Sequence, residues 1–320
     1  MNIRLLSLLV CAAFFASLAI GPAPITLGQI VAGDPVARTI FLELRLPRAL
    51  LGLIVGGGLG LAGAALQGWL RNPLVEPGLI GASSGASLGA VLALYSGLAI
   101  TVPLALPIAG TLGAAAATGL LWSLAGQRAS ATTTVLAGVA IASLGGALTS
   151  LALNLAPSPL AALEIVFWLL GSLADRSMPQ LTFALPFAVA GAVLLFTQAR
   201  ELDALSLGDE TAASLGVDLG RVRIATVLGA ALVVGPAVAI TGAIGFVGLV
   251  VPHLLRTNDR QLPSRLLLPS MLGGAALLTF ADIAVRLIPT PQELKLGTVT
   301  ALIGAPFFLW LLRDVQRRLP

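Results

Sequence analysis

The chain is poor in charge and in the side chains that most often carry out chemistry. Only 10% of its 320 residues are charged, against about a quarter in soluble domains. One cysteine, Cys11, excludes an intramolecular disulfide and a metal site built from a cysteine cluster. The only lysine, Lys295, is followed by Leu296, so no Gly-Lys-Ser/Thr of a phosphate-binding P-loop exists. We therefore predict that the chain is not an enzyme and binds neither cofactor nor metal.

Apolar residues dominate what is there. They make up 57% of the chain, and its mean hydropathy is +1.00, so most of its surface must face lipid. Because a spanning helix needs roughly 20 apolar residues, we predict one all-α, polytopic membrane domain over residues 1–320 with about ten transmembrane helices, short and broken ones included. Hydropathy places the spans at residues 5–21, 49–69, 79–98, 103–124, 132–154, 180–198, 224–241, 245–255, 266–286 and 296–312. Residues 163–174 are expected to form a helix at or dipping into the interface.

The basic residues set the predicted orientation. Twelve lie on one side of the ten spans and six on the other, and the richer side is cytoplasmic by the positive-inside rule. Both termini are then cytoplasmic in a bacterial inner membrane. Residues 1–20 also resemble a secretory signal, and we expect them to be kept as the first span. The net charge is only +4 and the arginines are spread along the chain, so the sequence shows no basic patch for nucleic acid. Lipid is the expected environment of the chain.

The only histidine, His253, lies in the apolar stretch 245–256. Its surroundings favour a half-length helix that packs through Gly245 and Gly248 and breaks at Pro252. A membrane enzyme that uses His253 is a third, distant alternative, since the histidine has no partner in the sequence. The nearer alternative is an ion-coupled secondary transporter, because such proteins carry broken helices. Glu164 and Asp282 are the acidic residues nearest to mid-span, and both lie toward helix ends.

Four separated stretches, together with Trp168-Leu-Leu-Gly-Ser172, resemble the FecCD/cobalamin-permease family of binding-protein-dependent ABC importers. They are Arg45-Leu-Pro-Arg48, Gln67-Gly-Trp-Leu-Arg-Asn-Pro-Leu-Val-Glu-Pro-Gly-Leu-Ile-Gly-Ala82, Gly242-Ala-Ile-Gly-Phe-Val-Gly-Leu-Val-Val-Pro-His-Leu-Leu-Arg256 and Gly297-Thr-Val-Thr-Ala-Leu-Ile-Gly-Ala-Pro306. They occur in the family's order between about residues 40 and 312. Lys295 departs from the family, which usually has proline there.

The resemblance implies the type II ABC importer permease fold and a set of partners. These are a second permease subunit, expected to be identical, two cytoplasmic ABC ATPase subunits that hold ATP and Mg, and a periplasmic or extracellular substrate-binding protein. The cargo would be an iron-siderophore, haem or cobalamin, moved across the membrane by ATP-driven alternating access without chemical change.

The resemblance also implies roles for particular residues. Three arginines would dock the binding protein, although snorkelling at the interface explains any one of them equally well: Arg45, Arg48 and Arg286. The loop of about residues 203–222 would couple to the ATPase, with carboxylates at the start of a short helix and a glycine at its end: Leu205, Gly208, Asp209, Glu210, Ala213 and Gly216. Ala212, Ala213 and Leu215 would give that helix a small apolar face.

Four polar residues at membrane depth are candidates for the translocation pathway: Gln67, Ser83, Ser84 and Asn154. Asn72 at the cytoplasmic end of the second span, with Thr132 and Thr133 at the start of the fifth, are the candidates for the inner gate. The resemblance puts the gate at Asn72 and near Thr132 and Thr133. Capping of a helix end is the alternative for Asn72, and for the two threonines it is the favoured interpretation.

Overall fold

The computed structural model describes residues 2–21, 23, 25–126, 130–256, 261–290 and 293–318, and within these ranges it is all-helical, with no strand. The α-helices are α1 Ile3–Ala19, α2 Leu27–Val31, α3 Pro35–Thr39, α4 Leu46–Leu70, α5 Ala82–Tyr95, α6 Leu98–Thr101, α7 Ala105–Ala125, α8 Ala131–Asn154, α9 Pro159–Leu169, α10 Met178–Thr197, α11 Ala199–Leu205, α12 Asp209–Ser214, α13 Leu219–Thr241, α14 Val247–Leu255, α15 Ser264–Leu287 and α16 Leu296–Arg318. A π-helical segment, Ile40–Arg45, joins α3 to α4, and a 3₁₀ turn, Pro77–Ile80, precedes α5.

Two helices form the centre of the molecule. In α4 and α13, 78% and 83% of the most apolar window is buried, whereas in α7, α8 and α10 the buried share is only 28%, 17% and 22%. Helix α4 packs against α15, α13, α14, α10 and α1, and α13 packs in addition against α7 and α5. The exposed side chains of the outer helices are largely leucine and valine, as expected where the solvent is lipid.

Glycine explains how α4 and α15 approach each other. A side chain at Gly56 would collide with the carbonyl oxygen of Gly274, and one at Gly60 with that of Ser270. Backbones come this close only where both surfaces lack side chains. The glycine run at residues 56–60 lies inside a predicted span, where its spacing predicts helix packing, and these contacts confirm that role.

Six helical segments in the described residues are long and apolar enough to cross a membrane. The predicted count of ten is therefore not confirmed. The predicted second span, residues 49–69, lies within one helical run that begins earlier, at Pro35, and ends at Leu70.

The short helix near the histidine also differs from its prediction. Pro252 was expected to break it, and instead lies inside α14, which ends at Leu255. Pro252 has no N–H to donate to the Gly248 carbonyl, and the Gln67 side chain donates to that carbonyl instead, at 3.2 Å. Close packing at Gly248 is confirmed: a side chain there would meet the carbonyl oxygen of Leu59 at 2.8 Å.

Candidate transport site

We call the end of the molecule that bears Arg45, Arg48 and Arg286 the outer end, and the end that bears Arg71 and α12 the inner end, after the predicted orientation. Each end holds residues that are distant in sequence and that the fold brings together. The outer end is described first.

Three of the sequence stretches that carried the resemblance meet at one backbone junction of the outer end. The Ser172 N–H donates to the Thr241 carbonyl at 2.7 Å, and the Gly297 N–H donates to the Gly171 carbonyl at 3.3 Å. A side chain on Gly242 would collide with the Trp168 carbonyl, and Gly242 has a φ of +73°, which favours glycine. The glycines therefore allow the ends of α9, α13 and α16 to touch directly.

Beside this junction, two arginines and two carboxylates form one charge cluster. Arg48 donates to the Asp282 carboxylate from Nη2 at 2.7 Å and from Nε at 3.0 Å, and its Nη1 donates to Glu293 at 3.1 Å. Arg286 donates to the other Asp282 oxygen at 2.7 Å. The Asp282 side chain is 2% exposed and that of Glu293 is 29% exposed, so solvent reaches the cluster mainly from the side of Glu293. Two positive and two negative charges balance within it.

Arg45 and Arg286 close the C-terminal end of α1. The Arg45 guanidinium donates to the carbonyls of Leu18 and Ala19 at 2.8 and 2.9 Å. Arg286 donates to the Ser17 and Ile20 carbonyls at 3.0 and 2.7 Å. Cations at these positions satisfy carbonyls that have no partner within the helix and complement its dipole.

Arg45 is buried, Arg48 and Arg286 are partly buried, and all three are bonded within the chain, so their docking role stays a prediction. They line a cavity of about 480 Å³ at the outer end, together with Phe167, Asp175, Glu293 and Lys295. The Lys295 ammonium lies 5.7 Å from the centre of the Phe167 ring. The lysine that replaces the usual proline therefore adds a positive charge to this cavity wall.

At the inner end, the connection between α4 and α5 folds back into the helix bundle. A side chain on Gly138 would collide with the Leu79 carbonyl, and Gly138 lies seven residues into α8, roughly 10 Å along that helix. Gln67 is 1% exposed and holds the connection in place. Its Nε2 donates to the carbonyls of Val75 and Gly248, both at 3.2 Å. This amide therefore ties the connection to α14 and faces the interior of the bundle.

Glu76 is a residue to which the sequence analysis gave no role. Its carboxylate accepts a hydrogen bond from the Phe246 N–H at 3.3 Å, at the start of α14. Glu76 lies in the connection rather than in a spanning helix. Burial raises the pKa of its carboxyl group, and the Phe246 hydrogen bond opposes that shift. Its place between two prolines in the resembling stretch was the available signal, but the segment falls between two predicted spans, where a carboxylate is ordinary.

The other predicted gate and pathway residues lie in the turn after α4, at the start of α5 and at the two ends of α8. Asn72 is exposed in the turn after α4, and its side chain accepts from the Leu74 N–H at 2.9 Å. Thr132 and Thr133 are exposed in the first turn of α8, where Ser130 caps the Thr133 N–H at 3.1 Å. Ser83 and Ser84 begin α5 and are half-buried. Asn154 is exposed at the far end of α8. Their contact with cargo stays a prediction.

The predicted coupling loop forms α11 and α12. As predicted, α12 begins with Asp209 and Glu210, and Gly216 follows its end in the left-handed conformation with φ +86°. Leu205 is buried in α11, Gly208 precedes α12, and Ala213 is exposed. Ala212 was predicted to lie on the exposed apolar face, which was wrong, because it is fully buried. In a helix of six residues, the positions of the small side chains do not reveal which side packs against the protein.

One ion pair links this loop to the gate segment. Arg71, which ends α4 with a φ of +50°, donates to the Asp209 carboxylate at 2.7 Å. Arg71 directly precedes Asn72, and Asp209 is the first residue of α12. An ion pair thus links helix α12 to the start of the connection between α4 and α5.

His253 lies in the last turn of α14 against the aromatic rings of α16. Its ring centroid is 5.6 Å from that of Phe307 and 6.2 Å from that of Trp310. Among the described residues, no group of histidine, cysteine, aspartate and glutamate is arranged to hold a metal ion. The surroundings of His253 are those of a helix-packing residue.

Known proteins of similar sequence and structure are membrane permeases. The vitamin B12 import permease of Vibrio cholerae is 42% identical over 288 residues, which cover 89% of this chain and 86% of the relative. The hemin transport permease of Yersinia pestis is 38% identical over 291 residues, covering 87% and 85%. A metal-chelate type ABC transporter solved in an inward-facing conformation matches with a TM-score of 0.87 and 33% identity, covering 98% of each chain.

The family model of the FecCD transport family matches residues 8–314, nearly the whole chain. Relatives of the chain are permeases of ABC importers for vitamin B12, haem and siderophores. The chain belongs to the FecCD transport family.

Proposed function

We propose that this chain is the membrane-spanning subunit of an ABC importer that moves a bulky metal chelate across the inner membrane. The cargo is an iron-siderophore, haem or cobalamin, and it leaves unchanged. The chain works as one of two permease subunits, expected to be identical. Two cytoplasmic ATPase subunits hold ATP and Mg, and an external binding protein delivers the cargo. A vitamin B12 permease and a hemin permease are similarly close to this chain, at 42% and 38% identity. They support a metal chelate as cargo but do not favour one chelate over another.

The ion pair between Arg71 and Asp209 carries this proposal. An ATPase that moves α12 also moves Asp209, and the salt bridge passes the displacement to the turn that holds Asn72. ATP binding in a partner chain thereby opens or closes the inner gate, which is the central step of alternating access. Cargo passes without covalent chemistry, so the chain needs no catalytic residue.

The proposed topology has ten crossings. Six are the long apolar segments, and four are the shorter helices α1, α5, α14 and α16, while α9 lies at the interface. Helix α14 has only nine residues, and its crossing is completed by residues 242–246, which follow α13. Irregular backbone at membrane depth is tolerated there because protein covers it. Both termini are then cytoplasmic, and α12 faces the ATPase.

Reconstitution of the complete importer in liposomes tests the proposal. Uptake of the cognate chelate is expected to need ATP, both partner proteins and no ion gradient. Arg71→Asp or Asp209→Arg alone is expected to lower the ATPase stimulation that the binding protein causes, because each variant places like charges opposite each other. The double variant restores the attraction and is expected to recover most of the stimulation. Lack of recovery would remove the proposed link between α12 and the gate.

An ion-coupled secondary transporter is the second candidate, and the half-buried Glu76, bonded to the start of α14, is the observation that favours it. That mechanism requires uptake driven by a proton or sodium gradient in the absence of ATP, with loss of the ion dependence in Glu76→Gln. Gradient-driven uptake without ATPase subunits would overturn the ABC importer proposal.

A further inference from the structure

A narrow apolar groove runs along the outside of the bundle between α7, α10 and α13. It encloses about 330 Å³ and is lined by residues that include Thr111, Gly119, Trp122, Phe187 and Leu228. The groove is far too small to seat another helix, whose diameter with side chains is about 10 Å. A single flexible hydrocarbon chain is the kind of occupant that fits such a space.

Helix α13 presents one exposed strip, and that strip lines the groove. From Val222 to Thr241, every described side chain is buried except Ile224, Leu228 and Leu232. Arg221, also exposed, lies seven residues before Leu228 and therefore two turns away on the same face. The strip thus runs from a positive charge at the inner end to aliphatic side chains at membrane depth.

The charged end of the groove is reinforced from α7. The Arg223 guanidinium lies 5.1 Å from the centre of the Trp122 ring, and its Nη2 donates to the Gly126 carbonyl at 2.7 Å. Tryptophan is enriched where a membrane helix meets the headgroups. Arg223 is 4% exposed and is bonded within the chain, so the exposed Arg221, together with Trp122, marks the headgroup level at the inner end.

The length of the groove matches one leaflet. Its α7 wall extends from Thr111 to Trp122, which are eleven residues, or roughly 16 Å, apart along the helix. Half of the hydrocarbon core of a bilayer is about 15 Å thick. A phospholipid with its phosphate at Trp122 would thus lay one acyl chain along the whole groove.

We propose that this groove is a binding site for one anionic phospholipid of the leaflet at the inner end. The phosphate lies near Arg221, and one acyl chain fills the space between Gly119, Phe187 and Leu228. The positive charge at one end alone selects an anionic headgroup over a zwitterionic one. The site is separate from the cargo pathway, so it does not depend on which chelate is carried.

Fluorescence of Trp122 tests the proposal in the full-length chain. The substitutions Trp69→Phe, Trp168→Phe and Trp310→Phe leave Trp122 as the only tryptophan of the four. In mixed micelles, phosphatidylglycerol with brominated acyl chains is expected to quench Trp122 at a lower mole fraction than brominated phosphatidylcholine. Arg221→Gln is expected to weaken the phosphatidylglycerol preference roughly fivefold, since one basic residue near a membrane surface contributes about that factor.

Gly119 allows the groove itself to be filled. A side chain there meets nothing within 4 Å, so Gly119→Leu occupies the groove without a backbone clash. It is expected to abolish the saturable quenching. Gly146→Leu, on α8, is the matched control, because it also enters open space but lies outside the groove.

Native mass spectrometry of the unmodified chain gives a second measurement that needs no tryptophan substitution. One retained phosphatidylglycerol is expected, and Gly119→Leu is expected to remove it while Gly146→Leu keeps it. Equal quenching by both lipids with no effect of Arg221→Gln would overturn the anionic selectivity. Unchanged quenching and lipid retention in Gly119→Leu would overturn the site.

Discussion

At the scale of single residues, charge in this chain is used mainly to hold structure. Arg45 and Arg286 satisfy the terminal carbonyls of α1, and Arg48 and Arg286 both bind Asp282. An unpaired charge is costly in a membrane protein, so each of these guanidinium groups has several acceptors. Glu293 differs from the others, because it is partly exposed and can exchange its partner.

Asp282→Asn is predicted to destabilise the fold strongly. It removes the carboxylate between two buried arginines, and breaking a buried ion pair costs about 3–5 kcal/mol. Thermal unfolding in detergent is expected to shift to clearly lower temperature. Glu293→Gln is the control, because its exposed ion pair is worth only about 0–1 kcal/mol. Equal melting temperatures for the two variants would contradict the structural role of Asp282.

Glu293→Gln is predicted to strengthen docking of the binding protein if Arg48 takes part in docking. A carboxylate on the partner must compete with Glu293 for the Arg48 guanidinium, and the amide is a weaker competitor. The expected gain in affinity is about two- to fivefold, in line with a partly exposed ion pair. Binding to the permease in nanodiscs at low and high salt measures it. Weaker binding by the variant would show that Glu293 assists docking instead.

At the scale of elements, the helices are held together by places where a side chain is absent. The α4–α15 contact depends on Gly56 and Gly60, and the outer junction depends on Gly171, Gly242 and Gly297. In each case the neighbour is a backbone carbonyl, which cannot rotate away as a side chain does.

Gly60→Val is predicted to separate α4 from α15, because its side chain would collide with the Ser270 carbonyl. Overpacking of this kind typically costs about 1–3 kcal/mol. Thermal unfolding of purified protein measures the loss. Gly146→Val is the control with the same added volume, since Gly146 faces open space. A comparable loss in both variants would point to helix propensity, and not to the α4–α15 contact.

At the scale of the whole molecule, one exposed face of helix α8 carries four polar side chains along its length. Thr132, Ser143, Ser150 and Asn154 are exposed on α8 at spacings of 11, 7 and 4 residues, which place them on one stripe. The buried residues Thr134, Gly138, Ile141 and Gly145 lie on the opposite face. Polar side chains at membrane depth face a water-filled path or another subunit. We therefore predict that this stripe faces away from lipid in the assembly.

Ser143→Cys, in a Cys11→Ser background, is predicted to react with a membrane-impermeant maleimide in vesicles that hold the assembled importer. Water on the α8 stripe would make the thiol accessible. Leu185→Cys is the control, because Leu185 is exposed on α10 among apolar neighbours and should remain unlabelled. Equal labelling at the two positions, or none at Ser143→Cys, would contradict a water-facing stripe.

Much of the element pattern was predictable, since apolar runs and caps are local signals. Asp209 and Gly216 marked the ends of α12, and the glycines at 56–60 indicated close packing. The partners of long side chains were not predictable. Arg45 has the same sequence signal whether it snorkels outward or turns back to cap α1. Glu76 was missed for a similar reason, because its burial depends on contacts with a segment 170 positions away.

Helix α4 has a mechanical consequence. It is one α-helix of 25 residues, roughly 37 Å long, with Arg48 in its first turn and Arg71 at its end. Such a helix acts as a stiff lever across the bilayer, and a tilt of about 5° moves its far end by roughly 3 Å. The charge cluster around Asp282 and the ion pair to Asp209 hold opposite arms of this lever. A tilt of α4 would therefore move Arg48 at one end and Arg71 at the other together, without a series of side chains in between to transmit the motion.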